Sequence, residues 1–138
     1  MLESDLLAPV ARYFEGRGLR AIPEVAVAGH RADLVAVSEG SFVAVELKVD
    51  EWRQALRQAI AYQVWAPLAY VALPFPRALR VSRHRHRFEA EGVGLLAVLG
   101  DEVRTFLPAM PSARLFPALS DLVRRQLGPP ALPLDAFS

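Results

Sequence analysis

Two short apolar runs separated by Glu39-Gly40-Ser41 carry charges where a buried strand should have none. Residues 31–37 read as a strand interrupted by Asp33, and residues 42–49 as a second strand holding Glu46 and Lys48. Side chains alternate faces along a strand, so Phe42, Ala44, Glu46 and Lys48 are expected on one face and Val43, Val45, Leu47 and Val49 on the other. An ionised side chain in an apolar layer is costly unless it is paired or binds something. Three charges in the two most buried-looking segments therefore mark a candidate site. The plain alternative is an internal Glu46–Lys48 ion pair.

The composition sharpens the choice. Of 16 basic residues, 15 are arginine, and Lys48 is the one lysine. Lysine is a compact point charge that fits close to a reacting oxygen, which the planar guanidinium does less well.

The following helix adds Gln58-Ala59-Ile60-Ala61-Tyr62. Asp33, a spacer of twelve residues, Glu46-Leu47-Lys48 and this Q-A-x-x-Y segment together resemble the PD-(D/E)XK nuclease superfamily. The resemblance covers about the first half of the chain. It departs from the pattern at Ala32, which stands before Asp33 where the superfamily has proline. The resemblance implies metal-dependent phosphodiester hydrolysis, with Asp33, Glu46 and the Leu47 carbonyl holding Mg²⁺ or Mn²⁺. Those hard cations take oxygen ligands and lower the barrier to attack on phosphate. It further implies that Lys48 stabilises developing negative charge. Gln58 and Tyr62 would orient the acids or touch substrate, and Glu3 on the first helix would be a supporting acid. The alternative for Glu3 is an acid placed at the positive end of a helix.

Taken in order, residues 3–16 predict an amphipathic helix with Leu6, Leu7, Val10, Tyr13 and Phe14 on its buried side. Residues 19–28 predict a first strand, with Pro23 indicating an edge or an irregular start. Glu24 and His30 are assigned to solvated strand and turn positions. Asp50 is the expected N-cap of a helix running to about Trp65, on which Glu51, Ala55, Gln58 and Tyr62 share a face. Residues 68–73 form a continuous apolar run, as in a buried strand reached by a helical crossover. Residues 77–91 predict one helix carrying SRHRHR, of which Arg83, Arg85 and Arg87 are candidate nucleic-acid contacts. The commoner origin of such a run is a solvated charged face. His84 and His86 are too close in sequence to bind one metal from a helix.

Residues 93–99 and 102–107 predict a closing hairpin around Gly100-Asp101. Residues 112–127 predict one or two short helices interrupted by Pro117, with Leu115, Leu119, Leu122 and Val123 inward and Gly128 as the cap. The proline-rich tail, 128–138, is expected to be extended or docked on a partner.

The order α-β-β-β-α-β-α-β-β-α predicts a three-layer α/β fold around a central mixed sheet, similar to the restriction-endonuclease-like core. Residues 1–127 are read as a single domain. With no cysteine, disulfides, thiolate zinc sites and thiol catalysis are excluded. No apolar run suggests a membrane span, no signal layout precedes the first helix, and the default location is cytoplasmic. The expected partner is nucleic acid, with DNA the favoured form. A homodimer is needed only if the enzyme is a structure-selective junction resolvase. Two other readings stand beside the nuclease: a non-catalytic nucleic-acid- or protein-binding module on the same fold, and a plain α/β domain whose strand charges pair internally.

Overall fold

Small and β-branched residues make the centre of this chain a sheet that helices can approach closely on both sides. In the computed structural model, which describes residues 1–130, six strands form one mixed sheet in the order β1-β2-β3-β4-β5-β6. The strands are β1 (Arg20–Val27), β2 (His30–Val37), β3 (Phe42–Leu47), β4 (Leu68–Pro74), β5 (Gly94–Leu99) and β6 (Glu102–Leu107). The β1–β2, β2–β3 and β5–β6 pairs are antiparallel, whereas β3–β4 and β4–β5 are parallel. The expected α/β architecture with a mixed sheet is therefore present.

Helix α1 (Ser4–Glu15) covers one face, placing Leu6, Val10 and Phe14 against Leu34, Ala36, Val43 and Val45. On the other face α2 (Trp52–Tyr62) packs over β3 and β4, burying Ala55 and Ala59. Beside it α5 (Pro117–Leu127) sets Val123 and Leu127 near Val35, Val37 and Phe42. The two alanines of α2 are fully buried, which allows the close approach expected of them.

The hairpin between β1 and β2 turns through Ala28 and Gly29 with φ of +50° and +82°, the sign pattern of the tight turn whose twist matches paired strands. Pro23 lies on β1, an edge of the sheet, where a missing N–H is tolerated.

Several local expectations need correction. Strand β3 ends at Leu47 rather than Val49, although the Lys48 N–H still bonds the Ala72 carbonyl. Asp50 is not the cap of α2; its carboxylate is 2.9 Å from Arg77, a long-range partner that local sequence cannot reveal. That helix stops at Tyr62, three residues before Trp65, and a turn follows. The single helix expected over 77–91 is three pieces: α3 (Phe75–Val81), a 3-10 turn (Ser82–His84) and α4 (Arg85–Glu91). Pro76 enters the first turn of α3, where its lack of an N–H costs nothing. Pro117 likewise begins α5 instead of interrupting a helix, and Leu122 points to solvent while Ser120 takes the buried position. Of the tail, only 128–130 falls among the described residues; 131–138 lie outside them. Among the described residues, no helix is long and apolar enough to cross a membrane.

One packing contact fixes the β4–β5 register. Tyr70 lies opposite Gly94, and a Cβ on residue 94 would collide with the Tyr70 ring and the Ala109 backbone. Gly94→Ala is expected to cost about 1–3 kcal/mol by overpacking. Urea unfolding checks this; a loss below about 0.5 kcal/mol would mean that the ring moves aside freely.

Candidate active site

Antiparallel pairing brings the start of β2 beside the end of β3. The ladder runs Leu34↔Val45 to Val37↔Phe42, and one step further along it Asp33 meets Glu46. At that step the half-buried Asp33 side chain replaces a backbone partner, its Oδ2 accepting the Leu47 N–H at 2.8 Å. A carboxylate held by a backbone donor is fixed in direction as well as position.

Glu46 is only 5% exposed and faces α2. Side chains lean toward the N-terminus of their helix, which carries the hydroxyl of Tyr62, at the end of α2, back toward β3. Its oxygen is 2.5 Å from Glu46 Oε1, 3.0 Å from the Arg31 carbonyl and 3.4 Å from Gln58 Oε1. One hydroxyl has one proton to give, and the shortest contact assigns it to the Glu46 carboxylate. Gln58, one turn earlier, closes the edge of this group.

Burial pushes Glu46 up from 4.5 to about 7. The Tyr62 hydrogen bond opposes that rise, the adjoining Asp33 carboxyl adds to it by charge and by hydrogen bonding, and the Lys48 ammonium opposes it. The Tyr62 hydroxyl is itself pushed upward by burial and by the acids beside it, so it stays protonated and donates.

Lys48 is close enough to act on Glu46, but its ion-pair partner is Glu3, at 3.7 Å. Glu3 lies just before α1, on the opposite face of the sheet. Beyond the end of β3, strand alternation no longer dictates where Lys48 points. The internal Glu46–Lys48 pair is not among the ion pairs of the described residues.

The structure thus brings together Asp33, Glu46, Tyr62 and Gln58, with Lys48 and Glu3 at the margin. It does not gather the three arginines of the SRHRHR run. Arg85 is tied to Glu89 at 2.6 Å, Arg87 lies over the Trp52 ring at 5.6 Å, and Arg83 is exposed. Glu24, with φ of +52°, falls between the Pro23↔Leu34 and Val25↔Ala32 pairs of the β1–β2 ladder, where the pairing is interrupted. Neither it nor Glu3 completes a metal cluster: among the described residues no group of three or more His, Cys, Asp or Glu could hold an ion. The donor set at the site is two carboxylates and nearby backbone oxygen. That suits Mg²⁺, which keeps several waters and is commonly held by one or two carboxylates. A cation there would also relieve the like-charge contact that raises Glu46.

Residues that the sequence reading passed over lie alongside. Arg31, Gln54 and Arg57 line a groove of about 480 Å³ whose wall includes Gln58 and Tyr62. The available signal was the exposed side of α2, where Arg53, Gln54, Arg57 and Gln58 include no acid.

No family model matches this chain, and a search of curated proteins finds no match. Among solved structures it is similar to the SPO1766 protein of unknown function from Silicibacter pomeroyi. The identity is 21%, the TM-score 0.69, and the match covers 88% of this chain and 80% of the other. At that identity the likeness concerns the fold alone.

A folded-state value for Glu46 above its unfolded one has a definite consequence. The stability it contributes is complete below about pH 4.5 and is lost as pH rises through about 7. Glu46→Gln removes this titration while leaving an acceptor for Tyr62. Relative to wild type, the variant is expected to gain on the order of 2–3 kcal/mol between pH 4.5 and pH 8. Denaturant unfolding at both pH values measures it, and a difference that does not change with pH would show that Glu46 titrates normally.

Proposed function

We propose that this chain is a metal-dependent nuclease of the PD-(D/E)XK, restriction-endonuclease-like type, hydrolysing phosphodiester bonds of nucleic acid, with DNA the favoured substrate. The observation that carries the reading is the meeting of the Asp33 and Glu46 carboxylates at one end of the sheet, with the charge of one raising the other. A pair kept apart from cations would gain nothing from that proximity; a pair that holds one needs it. The α-β-β-β-α-β order, with Asp33 at the start of β2 and Glu46 at the end of β3, supports the same reading.

The residues divide the work by position. Asp33, Glu46 and the Leu47 carbonyl would hold the Mg²⁺ or Mn²⁺ ion. When bound, the ion supplies Lewis acidity toward the phosphate and favours deprotonation of the attacking water. Asp33 is aimed by the Leu47 N–H, and Glu46 by the Tyr62 hydroxyl. The Lys48 ammonium places positive charge where the phosphate oxygens become more negative, and Glu3 anchors that side chain when substrate is absent. Gln58, one turn before Tyr62, would meet substrate at the groove edge.

The same site on a non-catalytic binding module would bind nucleic acid without cleaving it, and a cleavage assay separates the two. Mixed DNA and RNA substrates are expected to be cut in Mg²⁺ or Mn²⁺, with at least about 100-fold loss in Asp33→Asn and in Lys48→Ala. At sub-saturating metal the rate is expected to rise through about pH 7, because Glu46 must shed its proton before it can hold a cation. More metal should shift that midpoint to lower pH. Binding with no cleavage by the wild-type protein in either metal would replace the nuclease by the binding module.

A further inference from the structure

The molecule is nearly neutral overall, yet its arginines are unevenly partnered. Arg12, Arg77, Arg85, Arg104 and Arg114 each face a carboxylate. Six exposed arginines, Arg31, Arg53, Arg57, Arg80, Arg83 and Arg87, form no ion pair or side-chain hydrogen bond among the described residues, and four of them, Arg31, Arg53, Arg57 and Arg87, line two adjoining grooves. These four lie along one path. Arg31 and Arg57 line the groove walled by Gln58 and Tyr62. Arg57 also lines a second groove, of about 370 Å³ between α2 and α4, together with Arg53, His86 and Arg87. The carboxylate in that second groove, Glu91, is paired to Arg114.

Trp52 fixes two of these cations. The Arg53 guanidinium lies 4.3 Å and that of Arg87 5.6 Å from its ring centroid, while His84 stacks on the same ring at 5.1 Å. Stacking orients a guanidinium without using its N–H donors, which remain directed outward. Arg53 and Arg57 are one helical turn apart and therefore neighbours on the surface of α2. The result is a row of guanidiniums starting beside the Tyr62–Glu46 contact.

We infer that this Arg31–Arg57–Arg53–Arg87 row is the track along which a nucleic-acid strand lies on the protein, held through its phosphates and without reading of bases. The inference rests on the nuclease reading only for its direction: the track ends at Tyr62 and Gln58, which would lead the bound strand to Asp33 and Glu46. A polyphosphate backbone matches it because the donors are spaced, exposed and of one sign. The binding step carries no chemistry and is measured apart from it.

The experiment uses Asp33→Asn protein in buffer without divalent ions and labelled duplex and single-stranded DNA oligonucleotides of two unrelated sequences, titrated from low to moderate salt. Binding is expected to be equal for the two sequences, with log K falling against log salt with a slope near −3 to −4 for duplex, as about four phosphate contacts require. Arg57→Gln and Arg87→Gln should each weaken low-salt binding roughly five- to tenfold and reduce that slope by about one. Arg17→Gln, an equal charge change at the end of α1 on the opposite face of the sheet, is expected to shift affinity less than twofold. An Arg57→Gln protein that binds like Arg17→Gln, or displacement of DNA by an equal charge of polyglutamate, would overturn the track. Its outcome is independent of the cleavage assay: loss of the track with cleavage intact overturns only this inference, and an intact track with no cleavage overturns only the enzyme.

Discussion

Everything at the site depends on one unfavourable contact, that of the Glu46 carboxylate with Asp33 in a nearly dry pocket. Burial alone disfavours the charge on Glu46, and Asp33 makes it worse. Two donors make the arrangement tolerable: the Tyr62 hydroxyl on Glu46 and the Leu47 N–H on Asp33. Both are rigid, one because it belongs to the backbone and the other because Tyr62 is fully packed against Trp65. The protein thus sets two carboxyl groups side by side, with Glu46 divided between its protonated and ionised forms near pH 7. A cation held between them, as proposed, would favour the ionised form of both.

The fold holds this contact in place from both sides. An antiparallel β2–β3 pair is the only local way to set a residue at the start of one strand beside a residue at the end of the next. A parallel β3–β4 step then sends the chain through α2, so the helix bearing Gln58 and Tyr62 returns over the same end of the sheet. Ala55 and Ala59 let that helix sit close, since larger side chains there would lift Tyr62 away from Glu46. On the far side α1 seals Val43, Val45 and Leu47 and brings Glu3 around the end of the sheet to Lys48.

Much of this was legible because it is periodic. The alternation in 42–47 announced a strand, and its charged positions announced the place where the strand had another purpose. The alanines of α2 announced a close helix for the same reason. What was not legible depended on distant partners. Asp50 has the chemistry of a cap, but Arg77 takes its carboxylate from another part of the chain. Lys48 shares the parity of Glu46 in sequence and yet leaves the strand, so its nearest acid comes from α1. Within the SRHRHR run Arg85 is paired to Glu89 while Arg83 and Arg87 are left exposed, and the other arginines that line the grooves, Arg31, Arg53 and Arg57, lie outside it. Which arginines are free is decided by the acids that the fold places opposite them, and no linear pattern states that.

The most direct test of the account is an NMR titration of the Glu46 side-chain carboxyl, with and without Mg²⁺. The expected result is a midpoint near 7 in the absence of the ion and a clear downward shift when it is added, with the shift lost in Asp33→Asn. A midpoint near 4.5, or one that Mg²⁺ leaves in place, would contradict the claim that the two carboxylates form a cation site.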